Sequence, residues 1–202
     1  MFAFTAIDFE TTGAVPGLPN EPWQVGLVAV PAAEDGAPGD RLGRAERLES
    51  LLRIDPARPF NRYAPGRHAQ LRDRLAAAPS LPELWPALAP RLAGPVAAHN
   101  AGTERTLLRA AAPLHVPGPW IDTLALSRAA WPSAPSHALE DLVPALGLRP
   151  ALDALLPGRA PHDALYDAAA CALLLLHLLS LPGWSHLSLA DLSRLCSPAP
   201  RG

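Results

Sequence analysis

The sequence predicts an α/β domain built on one mixed sheet. Three observations predict it. Strand-like segments open the chain, at residues 2–8, 23–30 (WQVGLVAV) and 48–54, and their succession reads as an antiparallel meander. Short apolar segments at 95–98 and 120–121 then alternate with helical patterns, which calls for parallel strands in the same sheet. The chain is 202 residues long, and domains run to about 100–200 residues. One domain over 1–196 is expected, with 197–202 a frayed tail.

The remaining elements follow from spacing and end signals. Residues 31–43 are rich in Pro, Gly and acids and read as a long hairpin loop. Residues 68–78 and 80–92 carry apolar side chains at helical spacing, and Ser80 with Glu83 forms a capping box. Residues 100–112 read as a helix with Asn100 as its N-cap. Asp122 or Thr123 caps the next segment. A helix over 136–146 ends at Gly147. Residues 163–180 form a long apolar helix, and 188–196 a last short one.

Composition narrows the function. The chain is 49% hydrophobic and 18% charged, enough for a sizeable core. Its longest apolar run, 168–176, falls short of the ~20 residues a membrane span needs, so no membrane role is expected. The start, MFAFTAID, has no basic stretch, so no signal peptide is expected. Cys171 and Cys196 make no disulfide framework, which fits a cytoplasmic location. All 17 basic residues are arginine, and the net charge is −2. That balance excludes a general polyanion binder; a nucleic-acid ligand would have to be gripped locally, through metal ions.

Three motifs carry chemistry. In Ile7-Asp8-Phe9-Glu10-Thr11-Thr12-Gly13, Asp8 and Glu10 lie two apart in a strand and share a face. Such a pair is either two solvated acids or half of a hard-metal site, since like charges that close need a cation or a proton between them. In Pro161-His162-Asp163-Ala164-Leu165-Tyr166-Asp167, Asp163 reads as a helix cap, with His162 just outside and Asp167 in the first turn. Capping and the helix dipole explain these acids as well as catalysis does. Asp167 nevertheless lies on an otherwise apolar helix. In Ala97-Ala98-His99-Asn100-Ala101-Gly102-Thr103-Glu104, cap duty accounts for Asn100, and Glu104 falls one turn into the helix.

Together, and in this order, the motifs resemble those of the DEDDh 3′–5′ exonucleases, a family that includes the proofreading epsilon subunit of DNA polymerase III, RNase T and oligoribonuclease. IDFETTG resembles its first motif, AAHNAGTE its HNxxxD motif and HDALYD its HxxxxD motif. The resemblance extends through Gln24-Val25-Gly26, Ile121-Asp122-Thr123-Leu124 and His137-Ala138-Leu139-Glu140-Asp141-Leu142. It implies an RNase H-like fold, a mixed five-stranded sheet flanked by helices. It implies two divalent cations, Mg²⁺ or Mn²⁺, held by Asp8, Glu10, Asp167 and Glu104, with His162 accepting the proton of the attacking water. It implies substrate contacts at Phe9, Thr11, Thr12, Gly13, His99 and Asn100.

The expected substrate is a single-stranded DNA or RNA 3′ end, cut to 5′ mononucleotides, with a polymerase or a second copy as candidate partner. One departure stands out: Glu104 occupies the place of the family's second-motif Asp. The competing reading is a binding module for nucleic acid or polymerase, weakened or silenced as a catalyst by that change.

Overall fold

A computed structural model describes residues 2–32 and 37–196 of the chain. Five strands form one sheet in the order β3-β2-β1-β4-β5. The meander is β1 (Phe2–Thr11), β2 (Pro22–Pro31) and β3 (Glu46–Leu51), paired antiparallel. β4 (Val96–Ala98) joins β1 in parallel, and β5 (Trp120–Asp122) joins β4 in parallel. This is the mixed five-stranded, RNase H-like sheet that the sequence predicts.

Between β2 and β3 lies α1 (Pro38–Gly43). After β3 come a 3₁₀ turn (His68–Leu71), α2 (Arg72–Ala76), α3 (Leu81–Leu88) and a second 3₁₀ turn (Ala89–Leu92). α4 (Gly102–Ala111) links β4 to β5. Five helices follow: α5 (Thr123–Ala130), α6 (Leu139–Ala145), α7 (Arg149–Leu155), α8 (Ala164–Ser180) and α9 (Leu189–Leu195). No described helix is long and apolar enough to cross a membrane.

The strand period sorts β1 onto two cores. Phe4 and Ala6 face a core built around α8, with Val28 and Val30 of β2. Ile7 and Phe9 face the opposite core, with Leu88 of α3 and Leu108 of α4. By alternation, Asp8 and Glu10 continue the Phe4–Ala6 row and lie on the α8 side. α8 is buried nearly all round, as its lack of a polar face requires. It comes so close to the sheet that a Cβ on Gly26, the β2 partner of Asp8, would meet the backbone of Ala164 and Leu165 at 2.3 Å. Gly26 is the residue that lets the start of α8 lie on the strand pair bearing the acids.

Four expectations need correction. α1 interrupts the region read as loop: Pro38 is pre-set for a first helical turn, and Leu42 is buried in the α8 core. α7 is an element that the sequence reading did not include; Pro150 stands in its first turn, where its missing N–H costs nothing, and Leu152 is buried. The helix expected over 68–78 divides into a 3₁₀ turn and a short α2, because Leu75 is the one large side chain there that is fully buried. The helix expected over 136–146 starts at Leu139. The capping box at Ser80 and Glu83 is present as read. The tail at 197–202 lies outside the described residues.

Candidate active site

The site forms where β1, β4 and β5 run out, on the side reached by the first turn of α8. Asp163 caps α8, accepting from the N–H groups of Leu165 and Tyr166. Arg159 holds that cap from outside, donating to Asp163 at 2.8 Å and to Glu49 of β3 at 2.5 Å. Just before the cap, His162 sits at φ +65°, a left-handed conformation that is unusual for a side-chain-bearing residue. This bend lets the His162 N–H donate to the Asp167 carboxylate at 2.9 Å. One polar atom each from Glu10, His162 and Asp167 then lie within 4.8 Å of one another.

Asp8 and Glu104 line the same cleft outside this tightest trio. The cleft has two lobes. One, of about 270 Å³, takes its walls from Phe9, Thr11, Gly13, Pro65 and Thr103. The other, of about 540 Å³, extends past Arg128, Ser136 and His137. Asp8, His99, Asn100, His162 and Asp167 border both.

The second motif is assembled differently from the reading above. Asn100 is not the cap of α4. It takes φ +69°, Ala101 is the N-cap residue, and its side chain makes no capping bond. The N–H groups of Asn100 and Ala101 instead donate to the Asp122 carboxylate, at 3.0 and 3.2 Å. The same carboxylate caps α5 through Leu124 and Ala125. Asp122, legible in the sequence only as a cap for α5, thus pins the entries to two helices. Glu104 stands at the third residue of α4 and is 4% exposed. Its Oε2 has no hydrogen-bond partner.

The acids are held against their charge. Burial is the main cause for each of them. It pushes Glu10 up to about 8, with the charges of Asp167, Asp163 and Glu104 adding to the rise. It pushes Glu104 up to about 7, with backbone groups of Glu104 and Phe9 pulling partway back and Asp122 adding to the rise. It pushes Asp167 up to about 6 against the pull of His162. Asp8 is raised well above the usual carboxylate range by burial and then by Asp167, Glu104 and Glu10. Four carboxyls that resist ionising together, one with a bare oxygen, form a donor set suited to a hard divalent cation.

The expected substrate contacts divide. Phe9, Thr11, Gly13 and Asn100 line the cleft. Thr12 is turned away: its hydroxyl accepts from the Glu21 N–H, its own N–H donates to Glu21 and its carbonyl accepts from Asn61. Its role is to hold the turn. His99 borders the cleft with both ring nitrogens engaged. Nε2 faces the His137 carbonyl at 2.8 Å, so it carries the proton, and Nδ1 is left to accept from the Thr123 hydroxyl at 3.0 Å. Burial lowers its pKa, so the ring is neutral and offers the cleft surface rather than charge. Glu140 and Arg159 were missed. Glu140 Oε2 lies 3.3 Å from His162 Nε2. Arg159 lies in the loop before α8, where no helical spacing marks it.

Comparison with known proteins supports the same description. The chain superposes on Exonuclease X in complex with 5′ overhanging duplex DNA, with a TM-score of 0.63 and 25% identity over 94% of this chain and 99% of that one. It superposes on the nuclease domain of 3′hExo, a DEDDh family member bound to rAMP, with a TM-score of 0.64 and 15% identity over 87% and 90%. The E. coli ExoI–ssDNA complex with zinc gives 0.62 and 15%, over 91% of this chain and 42% of that one. No curated protein matches significantly. The family model described as Exonuclease, of the RNase T type, matches residues 5–175, and with the three motifs gathered at one cleft the chain belongs to the DEDDh exonuclease family.

Proposed function

We propose that the protein is a divalent-metal-dependent 3′–5′ exonuclease that releases 5′ mononucleotides from the 3′ ends of single-stranded DNA or RNA. The observation that carries the reading is the convergence of Glu10, His162 and Asp167 within 4.8 Å, at a cleft that Asp8 and Glu104 also line. The donor set fits two Mg²⁺ or Mn²⁺ ions, with Asp8, Glu10, Asp167 and Glu104 as the residues that would hold them. Bound there, such ions supply an activated water and charge to offset the scissile phosphate.

The chain's own residues do the rest. Glu140 Oε2, 3.3 Å from His162 Nε2, orients the imidazole that takes the water's proton. Thr11, Gly13 and Asn100 line the lobe that receives the terminal nucleotide. The leaving group is the 3′ oxygen of the preceding nucleotide. Neighbours bound to overhanging and single-stranded DNA support a nucleic-acid end as ligand.

The unpartnered Oε2 of Glu104 favours one second reading, a binding module whose second ion site has failed. Incubating a 5′-labelled oligonucleotide with Mg²⁺ or Mn²⁺ decides between them. Stepwise shortening from the 3′ end is expected. Tight binding with no shortening in either metal would overturn the exonuclease.

A further inference from the structure

A second groove, of about 660 Å³, lies outside the catalytic cleft, between the outer face of α4 and the loop leading into β5. Gly102, Arg105, Thr106 and Arg109 line it, at the spacing of one helical face. Arg105 and Arg109 are exposed and make no ion pair among the described residues. The only acid of α4 is Glu104, and it points to the catalytic side. The opposite wall carries His115, whose ring is exposed and meets Trp85 edge-on at 5.0 Å, and Val116, which is 91% exposed. Paired cations facing exposed ring and apolar surface suit a nucleic-acid strand, whose phosphates and bases need both.

The groove is also placed to continue the cleft. Gly102 lines the groove, while Asn100, Thr103 and Glu104 line the catalytic cleft. From Gly102 to Arg109 the helix rises about 10 Å, enough to accompany about two or three stacked nucleotides.

We propose that this groove carries the backbone of the single strand upstream of the scissile bond, with Arg105 and Arg109 on its phosphates. The proposal rests on the exonuclease reading for the strand's direction, but binding tests it without turnover. Anisotropy of a labelled oligodeoxythymidylate in Ca²⁺ compares the wild type with the Arg105→Ala/Arg109→Ala double variant. The double variant is expected to bind a long oligonucleotide about tenfold more weakly. Its salt dependence should flatten by about 1.4 in log–log slope, the share of two phosphates on a single strand. Binding of a trinucleotide, too short to leave the cleft, should be unchanged. Arg105→Lys/Arg109→Lys should restore most of the long-strand affinity and guards against a folding artefact. Unchanged long-strand affinity and slope, or equal loss for the trinucleotide, would overturn the groove. If binding behaves as stated and no chain is shortened, the groove stands and the exonuclease reading fails.

Discussion

The two halves of the site are built on opposite faces of the sheet and by different means. Asp8 and Glu10 on β1 meet Asp167 on the face covered by α8. Each is fixed by its own motif: strand alternation places the pair, and the left-handed His162 delivers its N–H to Asp167. Glu104 comes from α4, whose packing lies with the other core, and its entry turn is fixed by Asp122, a residue of a different strand. Local rules therefore specify one half, and a long-range contact specifies the other.

The sharpest way to break the comparison is to remove charge from the locally built half. Asp167→Asn keeps the shape and the side chain's capacity to accept from His162. Turnover is expected to fall about a thousandfold, the range seen when one electrostatic group of an active site is lost. Thermal unfolding checks that the fold survives; retention of more than a tenth of the activity would remove Asp167 from the chemistry.

Next in size is Gly26→Val. Its new Cβ would overlap the Ala164 and Leu165 backbone. Overpacking costs about 1–3 kcal/mol, and backbone cannot swing aside as a side chain can, so the upper end is expected in denaturant unfolding. The start of α8 must then lift from β2, and activity should fall with it. A variant of unchanged stability would mean that α8 does not depend on this contact for its seat.

Asp122→Ala tests the other half. It deletes the cap of α5 and the acceptor for two N–H groups before α4. A lost cap costs about 1 kcal/mol and orphaned donors add a similar amount, giving about 2 kcal/mol. Asp8, Glu10 and Asp167 should keep their geometry, so metal affinity should fall less than turnover. Equal losses of both would show that the halves are not independent.

This division explains what could be read from the sequence. The sheet was legible because β1 and β2 are long and apolar, and α8 because it has no polar face. The β1–α8 acids were legible because a two-residue strand spacing and a first-turn helix position each say where a side chain points. Asn100 was misread as a cap because the rule for caps is local. The acceptor that replaces it, Asp122, lies 22 residues away. Thr12 was misread for the same reason: its partners, Glu21 and Asn61, lie beyond the motif's own turn. The helices α1 and α7 were not legible because each is two turns or less and carries Pro in its first turn, a residue that marks both loops and helix starts.

Stability against pH gives a smaller effect that involves both halves. Glu10 and Glu104 shift from 4.5 to about 8 and about 7, and Asp167 from 3.8 to about 6. Each raised pKa means that the folded state holds protons that the unfolded state has released. The metal-free protein should therefore be most favoured by these groups below about pH 4 and lose that contribution as pH rises to about 8. A bound divalent cation takes the protons' place. Mn²⁺ should raise the Tm by several degrees at pH 8 and by little at pH 5. An equal rise at both would mean that the cation does not bind these carboxyls.

The smallest effect expected is from one methylene. Glu104 must bring its carboxylate from the α4 side of the sheet to the cleft, and its Oε2 lies buried without a partner. Glu104→Asp keeps the charge and withdraws it by one bond. If the position of α4 sets the reach, turnover should fall about threefold to tenfold, within about 1.4 kcal/mol, and more Mn²⁺ should be needed for half-maximal rate. Glu104→Gln, which keeps the length and loses the charge, should fall further. The order of the two separates reach from charge. A Glu104→Asp variant faster than the wild type would show that the glutamate is itself the flaw in this half. The distantly specified half would then be the one that has drifted, and the binding-module reading would gain at the exonuclease's expense.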